Sequence, residues 1–300
     1  MGIKNLLKLI NMYPDLIEEK EIEEFKNKKI AIDISILLYQ VVISVRNTGS
    51  DLTNKKGEVT SHILGLFNKT IKMLENKIIP IYVFDGKPPE LKKKVLDIRR
   101  SIRKKAEEKM QLAETEEEKI KYFKRSVSIS KKQLEECKEL LDFMGIPYVN
   151  APEEADSQCA WLAEQNLVYA VLTEDMDILT FGSPKVVRNL TSQKKKPIEL
   201  DLTKIKNKFG WSHNNFIEIC VLFGCDYSEH ITDINFLKLF HEYQKNKNIY
   251  KVLSKINRKI DAKESIMYFK NPIIDKDVGN LNLKEVNHEN LENLLVNKYG

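Results

Sequence analysis

Seven carboxylates stand where strands should end or a helix should begin: Asp33, Asp85, Glu154, Asp156, Asp175, Asp177 and Asp226. Like charges gathered in one cleft repel, so such a set needs cations to neutralise it, and hard divalent ions such as magnesium prefer oxygen ligands. A lone Asp at such a place is more simply a solvated loop acid or a helix cap. The bland reading weakens when acids running from residue 33 to residue 226 all fall at element ends.

The elements that must position them can be read from the chain. Lys29-Ile30-Ala31-Ile32-Asp33 and Ile79-Pro80-Ile81-Tyr82-Val83-Phe84-Asp85 are apolar, β-branched or aromatic runs that stop at an Asp. Val168-Tyr169-Ala170-Val171-Leu172-Thr173 likewise precedes Glu174-Asp175-Met176-Asp177. Each run reads as a buried parallel strand with an acid at its carboxyl end. Helical stretches lie between them, which predicts an α/β fold: a mostly parallel central sheet covered by helices on both faces. Ligands of such sheets collect outside the carboxyl ends of the strands, so the acids should converge there. The two-residue spacing of Asp175 and Asp177 puts both on one side of an extended segment. On a regular helix Glu154 and Asp156 would not share a face. Pro152 marks a helix start about there, where the positive end of the dipole favours acids.

Several blocks in fixed order then carry a resemblance. They are Met1-Gly2-Ile3-Lys4-Asn5-Leu6, Ile32-Asp33-Ile34-Ser35, Tyr82-Val83-Phe84-Asp85-Gly86-Lys87-Pro88-Pro89, Met144-Gly145-Ile146-Pro147-Tyr148, Ala151-Pro152-Glu153-Glu154-Ala155-Asp156, Thr173 to Pro184, and Leu222-Phe223-Gly224-Cys225-Asp226-Tyr227. Over nearly the whole chain these resemble the flap endonuclease family of structure-specific 5′ nucleases.

The resemblance implies two divalent metals, Mg2+ with Mn2+ able to substitute, and all seven acids in or near their shell. Such a pair would lower the pKa of a bound water and stabilise attacking and leaving oxygens of a phosphodiester hydrolysis, with no Ser, Cys or His nucleophile. It assigns Lys92 and Arg99 to offset charge on the phosphate; seven residues apart, they can share one helical face. It makes the charged segment 87–130 a helical arch whose basic half, including Arg100 and Arg103, would attract a single-stranded 5′ end. Tyr39 would stack on a base and Arg46 would face the DNA near its bend, with a buried core Tyr as the competing reading. Gly2 would lie close to the bent DNA. One nuclease domain spans 1–300, with an N-terminal region (1–105), the arch insertion, an internal region holding a helical duplex-binding lobe (131–260) and a C-terminal wrap (261–300).

The substrate the resemblance implies is branched DNA with a 5′ flap, cut at the junction of single and double strand in DNA replication and repair. A 5′ to 3′ exonuclease of the same superfamily and a non-catalytic DNA-junction binder are the alternatives. Asp85-Gly86-Lys87-Pro88-Pro89 and Gly182-Ser183-Pro184 favour the flap branch. Asp156 stands where that family usually has Glu, as exonuclease relatives often do.

Two further departures bear on partners. Where the family has a glycine-rich hairpin that binds K+ and duplex phosphates, this chain has Ile231-Thr232-Asp233-Ile234-Asn235-Phe236-Leu237-Lys238. Asp233 and Asn235 replace glycines, which weighs against K+ and tight duplex anchoring, although Asn adopts left-handed backbone angles more readily than most residues. The sequence present, ending Lys298-Tyr299-Gly300, also gives no support for a sliding clamp as partner.

Composition sets outer bounds. With 300 residues, 42% of them hydrophobic, the chain can bury a substantial core. A net charge of +5 and a pI of about 8.7 mean that nucleic-acid affinity must come from local patches. Cys137, Cys159, Cys220 and Cys225 lack close paired spacing. Reduced core cysteines are favoured over a zinc site through Cys220, Cys225 and a nearby His. No apolar run could span a bilayer and no secretory signal precedes the first strand, so a soluble, intracellular monomer is expected, with no membrane partner. Cellular relatives work in the nucleus; a viral member would work elsewhere.

Overall fold

The computed structural model describes residues 2–192 and 194–299. Seven strands form one sheet: β1 (Glu18–Glu19), β2 (Lys29–Asp33), β3 (Ile79–Phe84), β4 (Tyr148–Asn150), β5 (Ala170–Leu172), β6 (Lys185–Arg188) and β7 (Ile198–Asp201), in the spatial order β1-β7-β6-β5-β2-β3-β4. The five strands from β6 to β4 run parallel, and β7 and β1 close one edge antiparallel. The expected parallel character therefore holds for the centre of the sheet, where the apolar runs are buried on both faces.

Alternation along each strand divides the core in two. Ala31, Ile81, Val83, Val149, Val171 and Leu200 face one way, onto the helices Leu6–Asn11, Ala155–Glu164 and His213–Phe223. Ile30, Ile32, Tyr82, Phe84, Ala170 and Val187 face the other, onto Ile34–Val45, Ser61–Glu75 and Lys131–Phe143. A one-residue slip of β2 against β3 would exchange these sets, so burial on both faces pins the register Ala31 to Ile81 and Asp33 to Val83. The last of these helices begins with a reciprocal capping box of Ser130 and Gln133, and Cys137 lies buried on its inner face, as its sequence indicates.

Two helices leave the body after β3. An outward leg, Lys93–Gln111, and a return leg, Glu116–Arg125, pack on each other, with Lys109 over the Tyr122 ring. Thr115 caps the return leg by accepting from the Glu118 amide, and its first turn is Glu116-Glu117-Glu118, which suits the positive helix end. Between Leu202 and Lys270 lie five helices, joined to the same core as the sheet face that carries Ala31. The C-terminal stretch returns across the molecule: the amides of Lys284 and Asn287 bond to the carbonyls of Gly145 and Phe143, and the Lys298 carbonyl accepts from Asn54. No helix among the described residues is long and apolar enough to cross a membrane.

Candidate metal centre and nucleic-acid interface

The parallel strands deliver the acids to one edge. Asp33 ends β2 and caps the next helix, accepting from the amides of Ser35 (2.7 Å) and Ile36 (3.2 Å). Asp85 follows β3; it accepts from the Ser35 hydroxyl (2.6 Å) and from the Ala155 amide (2.9 Å). That second bond caps the helix Ala155–Glu164 from a neighbouring strand end. Glu154 is the N-cap residue itself, in extended backbone (φ −84°, ψ 131°), so it is freed from helical phase, and it lines the same cleft as Asp156. The difficulty posed by their spacing disappears because only Asp156 is inside the helix.

Asp175 and Asp177 differ from the extended pair expected. Met176 is helical (φ −89°, ψ −6°) and Asp177 opens the short helix Asp177–Thr180. The turn nonetheless brings them together, since the Asp177 amide donates to Asp175 Oδ1 at 3.2 Å. One carboxylate oxygen from each of Asp156, Asp175 and Asp177 lies within 4.8 Å of the others. Among the described residues this is the only such group of three, and all four cysteines are buried thiols, so the zinc alternative gains nothing.

Six of the seven acids are buried; Asp85 is exposed. Burial pushes the carboxyls of Asp33, Asp156 and Asp177 well above the usual carboxylate range. Neighbouring acids push the same way, Asp85 on Asp33 and Asp175 on both Asp156 and Asp177. Burial raises Asp175 and Glu154 as well, the latter against the pull of Lys92. Asp156 Oδ1 and Asp177 Oδ1 are buried with no hydrogen-bond partner. Unpartnered oxygens of this kind are costly in a protein interior and are what a cation would satisfy. The donor set, all carboxylate oxygen, fits Mg2+ or Mn2+ rather than a soft metal.

Two cations answer the acids, one just before the outward leg and one on it. Lys92, at the end of the turn Glu90–Lys92, bonds to Glu154; Arg99 donates to Asp226 Oδ2 at 2.5 Å. Burial works against charge on Lys92, but Glu154, Asp156 and Asp226 outweigh it and hold the ammonium above its ordinary value. Although Lys92 precedes the regular helix, the two residues do share the face that the spacing implied. They line one cleft of about 570 Å³ together with Tyr39, Arg103 and six of the seven acids, Asp177 lying just behind.

The remaining expected contacts separate. Tyr39 is half-buried on the cleft wall, which removes the reading as a core Tyr. Arg103 lines the cleft and donates to the Ser128 hydroxyl. Arg100 is exposed, pairs with Asp97 and is not part of the cleft wall. Arg46 does not stand free: its guanidinium is bound to Asp51 and to the return leg. Gly2 lies against the clustered acids Asp175 and Asp177, in left-handed backbone (φ 70°), where a Cβ would overlap the Asp175 carboxylate. Sequence reasoning passed over Ser35 and Tyr227, whose hydroxyls bond Asp85 and Glu154. Both stand inside motifs already singled out, one or two residues from a candidate ligand.

The hairpin after Asp226 departs further from the expected shape. None of residues 225–246 has a positive φ. Asn235 sits in extended backbone (φ −60°, ψ 133°) and spends its side chain capping Phe236–Asn246 through the Leu237 amide, so the left-handed conformation open to Asn is not used. Asp233 is turned onto Arg258 in an ion pair. The close, glycine-permitted backbone approach that a K+ site there would use is missing, and the residues present do not fit that ion.

Comparison with known proteins places this geometry. Residues 1–106 match the XPG N-terminal domain and residues 145–226 the XPG I-region. Human flap endonuclease 1 is 42% identical over 306 residues, covering 97% of this chain and 80% of that protein. The chain belongs to the flap endonuclease family. The flap endonuclease 1 of Nematostella vectensis is likewise 42% identical, over all of this chain and 84% of its own. Among solved structures, flap endonuclease-1 from Methanococcus jannaschii superimposes with a TM-score of 0.77 at 38% identity, covering 96% of this chain and 92% of that one. The catalytic core of Rad2 in complex with DNA shares the fold (TM-score 0.74) at 23% identity. As a member of this family the chain is a nuclease with an α/β fold, and the buried acids are suited to metal ions.

Proposed function

We propose that this flap endonuclease hydrolyses the phosphodiester at the single-strand to double-strand junction of 5′-flap DNA, with Mg2+, in replication and repair. One observation carries the reading: a group of buried carboxylates with unpartnered oxygens at Asp156 and Asp177 sits at the cleft that Lys92 and Arg99 line, Asp156 on its wall and Asp177 just behind, beneath two helices that leave the body. Asp156, Asp175 and Asp177 would hold one ion, and Asp33, Asp85, Glu154 and Asp226 complete the shell. When bound, the metals supply a hydroxide near neutral pH and stabilise negative charge on both sides of the broken bond.

The chain's own groups do the rest. Lys92, in the turn before the outward leg, and Arg99, on that leg, line the cleft and would present positive charge to the scissile phosphate; bound cations would take over the neutralisation of Glu154 and Asp226, the present partners of these two side chains. Tyr39 offers an aromatic face for a base at the cleft wall, and Arg103 adds a cation on the path of the single strand. Ser35 and the Ala155 amide fix the rotamer of Asp85, the exposed acid and therefore the first to meet an incoming phosphate or ion. The duplex arm is gripped without K+ in the 231–235 hairpin, because Asp233 and Asn235 are committed to Arg258 and to a helix cap.

The deciding experiment is cleavage of a 5′-end-labelled flap, compared with nicked, gapped and single-stranded DNA, with and without Mg2+. Release of intact flap oligonucleotides only in the presence of metal supports the reading. Mononucleotides would assign a 5′ to 3′ exonuclease, and inertness on every substrate would leave a junction-binding protein.

A further inference from the structure

The residue after Asp226 is fastened into the site from behind. Tyr227 is only 5% exposed, and its ring packs on Tyr268 (4.7 Å between ring centres), Phe269 (5.1 Å) and, edge-on, Phe181 (6.2 Å). Its carbonyl accepts from the buried Ser265 hydroxyl at 2.6 Å, so ring and backbone are both tied to the helix Ala262–Lys270. The aromatic block so formed meets three segments that carry candidate ligands. Phe181 closes the short helix that Asp177 opens, Tyr227 follows Asp226, and the Tyr268 hydroxyl donates to Glu153, the neighbour of Glu154, at 3.2 Å.

Glu154 is the acid whose orientation this block can set. Although it is the N-cap residue of Ala155–Glu164, its carboxylate makes no capping bond, so its own helix does not hold it. Among the described residues two side chains donate to it, both at Oε2: the Lys92 ammonium, and the Tyr227 hydroxyl at 3.4 Å. That second distance is long for a hydroxyl on a carboxylate, as bonds in a site are before its ligands arrive. Lys92 stands on a different element, in the turn before the outward leg, and has a second task in the cleft. When the ammonium turns to a phosphate, the phenol is the donor left on Glu154.

We propose that Tyr227 is a positioning residue: its hydroxyl, held in place by the packing of its ring on Tyr268 and Phe269 and by the Ser265 bond, fixes the Glu154 carboxylate in the acidic cleft. A hydrogen-bond donor behind a carboxylate ligand limits its rotation, which matters most where the ligand has no other anchor. The effect on cleavage rests on the nuclease reading above; the hold on Glu154 does not.

Tyr227→Phe keeps the ring and removes the donor. In DNA-free protein Mn2+ affinity, read by titration calorimetry, should weaken on the order of 10-fold, the usual cost of losing the partner behind a metal ligand. On a 5′-flap substrate kcat should fall about as much with KM unchanged. A tyrosine that only fills space predicts no change in either measurement, because the ring is retained, and that result would overturn the proposal. A double-mutant cycle separates the route: in a Glu154→Ala background Tyr227→Phe should leave Mn2+ affinity where Glu154→Ala alone puts it, since the hydroxyl acts through that carboxylate. Equal losses in both backgrounds would overturn it as well. Because calorimetry is done without DNA, a parent protein that cut no flap would count against the nuclease reading alone.

Discussion

Arg99 Nη2 lies 2.5 Å from Asp226 Oδ2, joining the outward leg to an acid 127 residues further along the chain. The pair couples charge to placement, since the same guanidinium that neutralises the acid is held on the wall of the acidic cleft. Arg99→Ala should lower kcat on the order of 10²–10³-fold, the usual cost of losing one donor to a developing negative charge. Single-turnover cleavage at saturating Mg2+ reads this; a loss confined to KM would make Arg99 a binding residue instead.

Asp175 is one of three buried acids with carboxylate oxygens within 4.8 Å of one another. Asp175→Ala should reduce cleavage on the order of 10³-fold or more, because a proposed ligand of the ion held with Asp156 and Asp177 is removed. Affinity for the flap substrate, measured by fluorescence anisotropy in Ca2+, should change little. Near-normal turnover by the variant would withdraw the residue from the ligand set.

Metal removal and pH act together. Asp33, Asp156, Asp175, Asp177 and Glu154 all have carboxyls held above their ordinary range, chiefly by burial. For acids raised on folding, the stabilising contribution of protonation is complete below the unfolded values and is lost as pH rises through the folded ones. Metal-free protein should therefore lose thermal stability as pH rises above the ordinary carboxylate range of about 4, and Mg2+ or Mn2+ should raise Tm more at pH 8 than at pH 5. Equal metal stabilisation at both values, followed by calorimetry, would contradict it.

His213 gives the reverse sign. Burial first, then Lys206 and Lys270, pull its imidazole down to about 4, and its Nδ1 is buried without a partner. A group lowered on folding contributes stability that is present above its unfolded pKa and lost as pH falls through the folded one. Urea unfolding should show the His213→Phe variant gaining on the parent as pH drops from about 6.5 toward about 4. A constant difference across that window would rule the ring out as the source.

Gly2 is tested by the smallest change available. Gly2→Ala adds a Cβ into the Asp175 carboxylate and places a side chain at φ 70°, a conformation that costs about 1–3 kcal/mol outside glycine. Weaker Mn2+ binding by titration calorimetry, with kcat reduced in step, is the expected result.

The strand runs ending in Asp33 and Asp85, and the Ser130 to Gln133 cap, were legible because each depends on local pattern: apolar periodicity, a terminal acid, a hydroxyl three residues before an amide. Parallel pairing then places strand ends at one edge, so the convergence of the seven acids follows from the order of elements alone. What the chain order does not contain is competition for a side chain. Asp233 could face phosphate or Arg258, Arg46 could face DNA or Asp51, and Asn235 could turn left-handed or cap a helix. Each choice rests on a partner brought near by folding, and a charged-group contact depends on distance and burial that linear spacing does not encode. The placement of the candidate acids at element ends and the parallel centre of the sheet were thus written in the sequence; the wall of the cleft and the fate of the hairpin were decided in three dimensions.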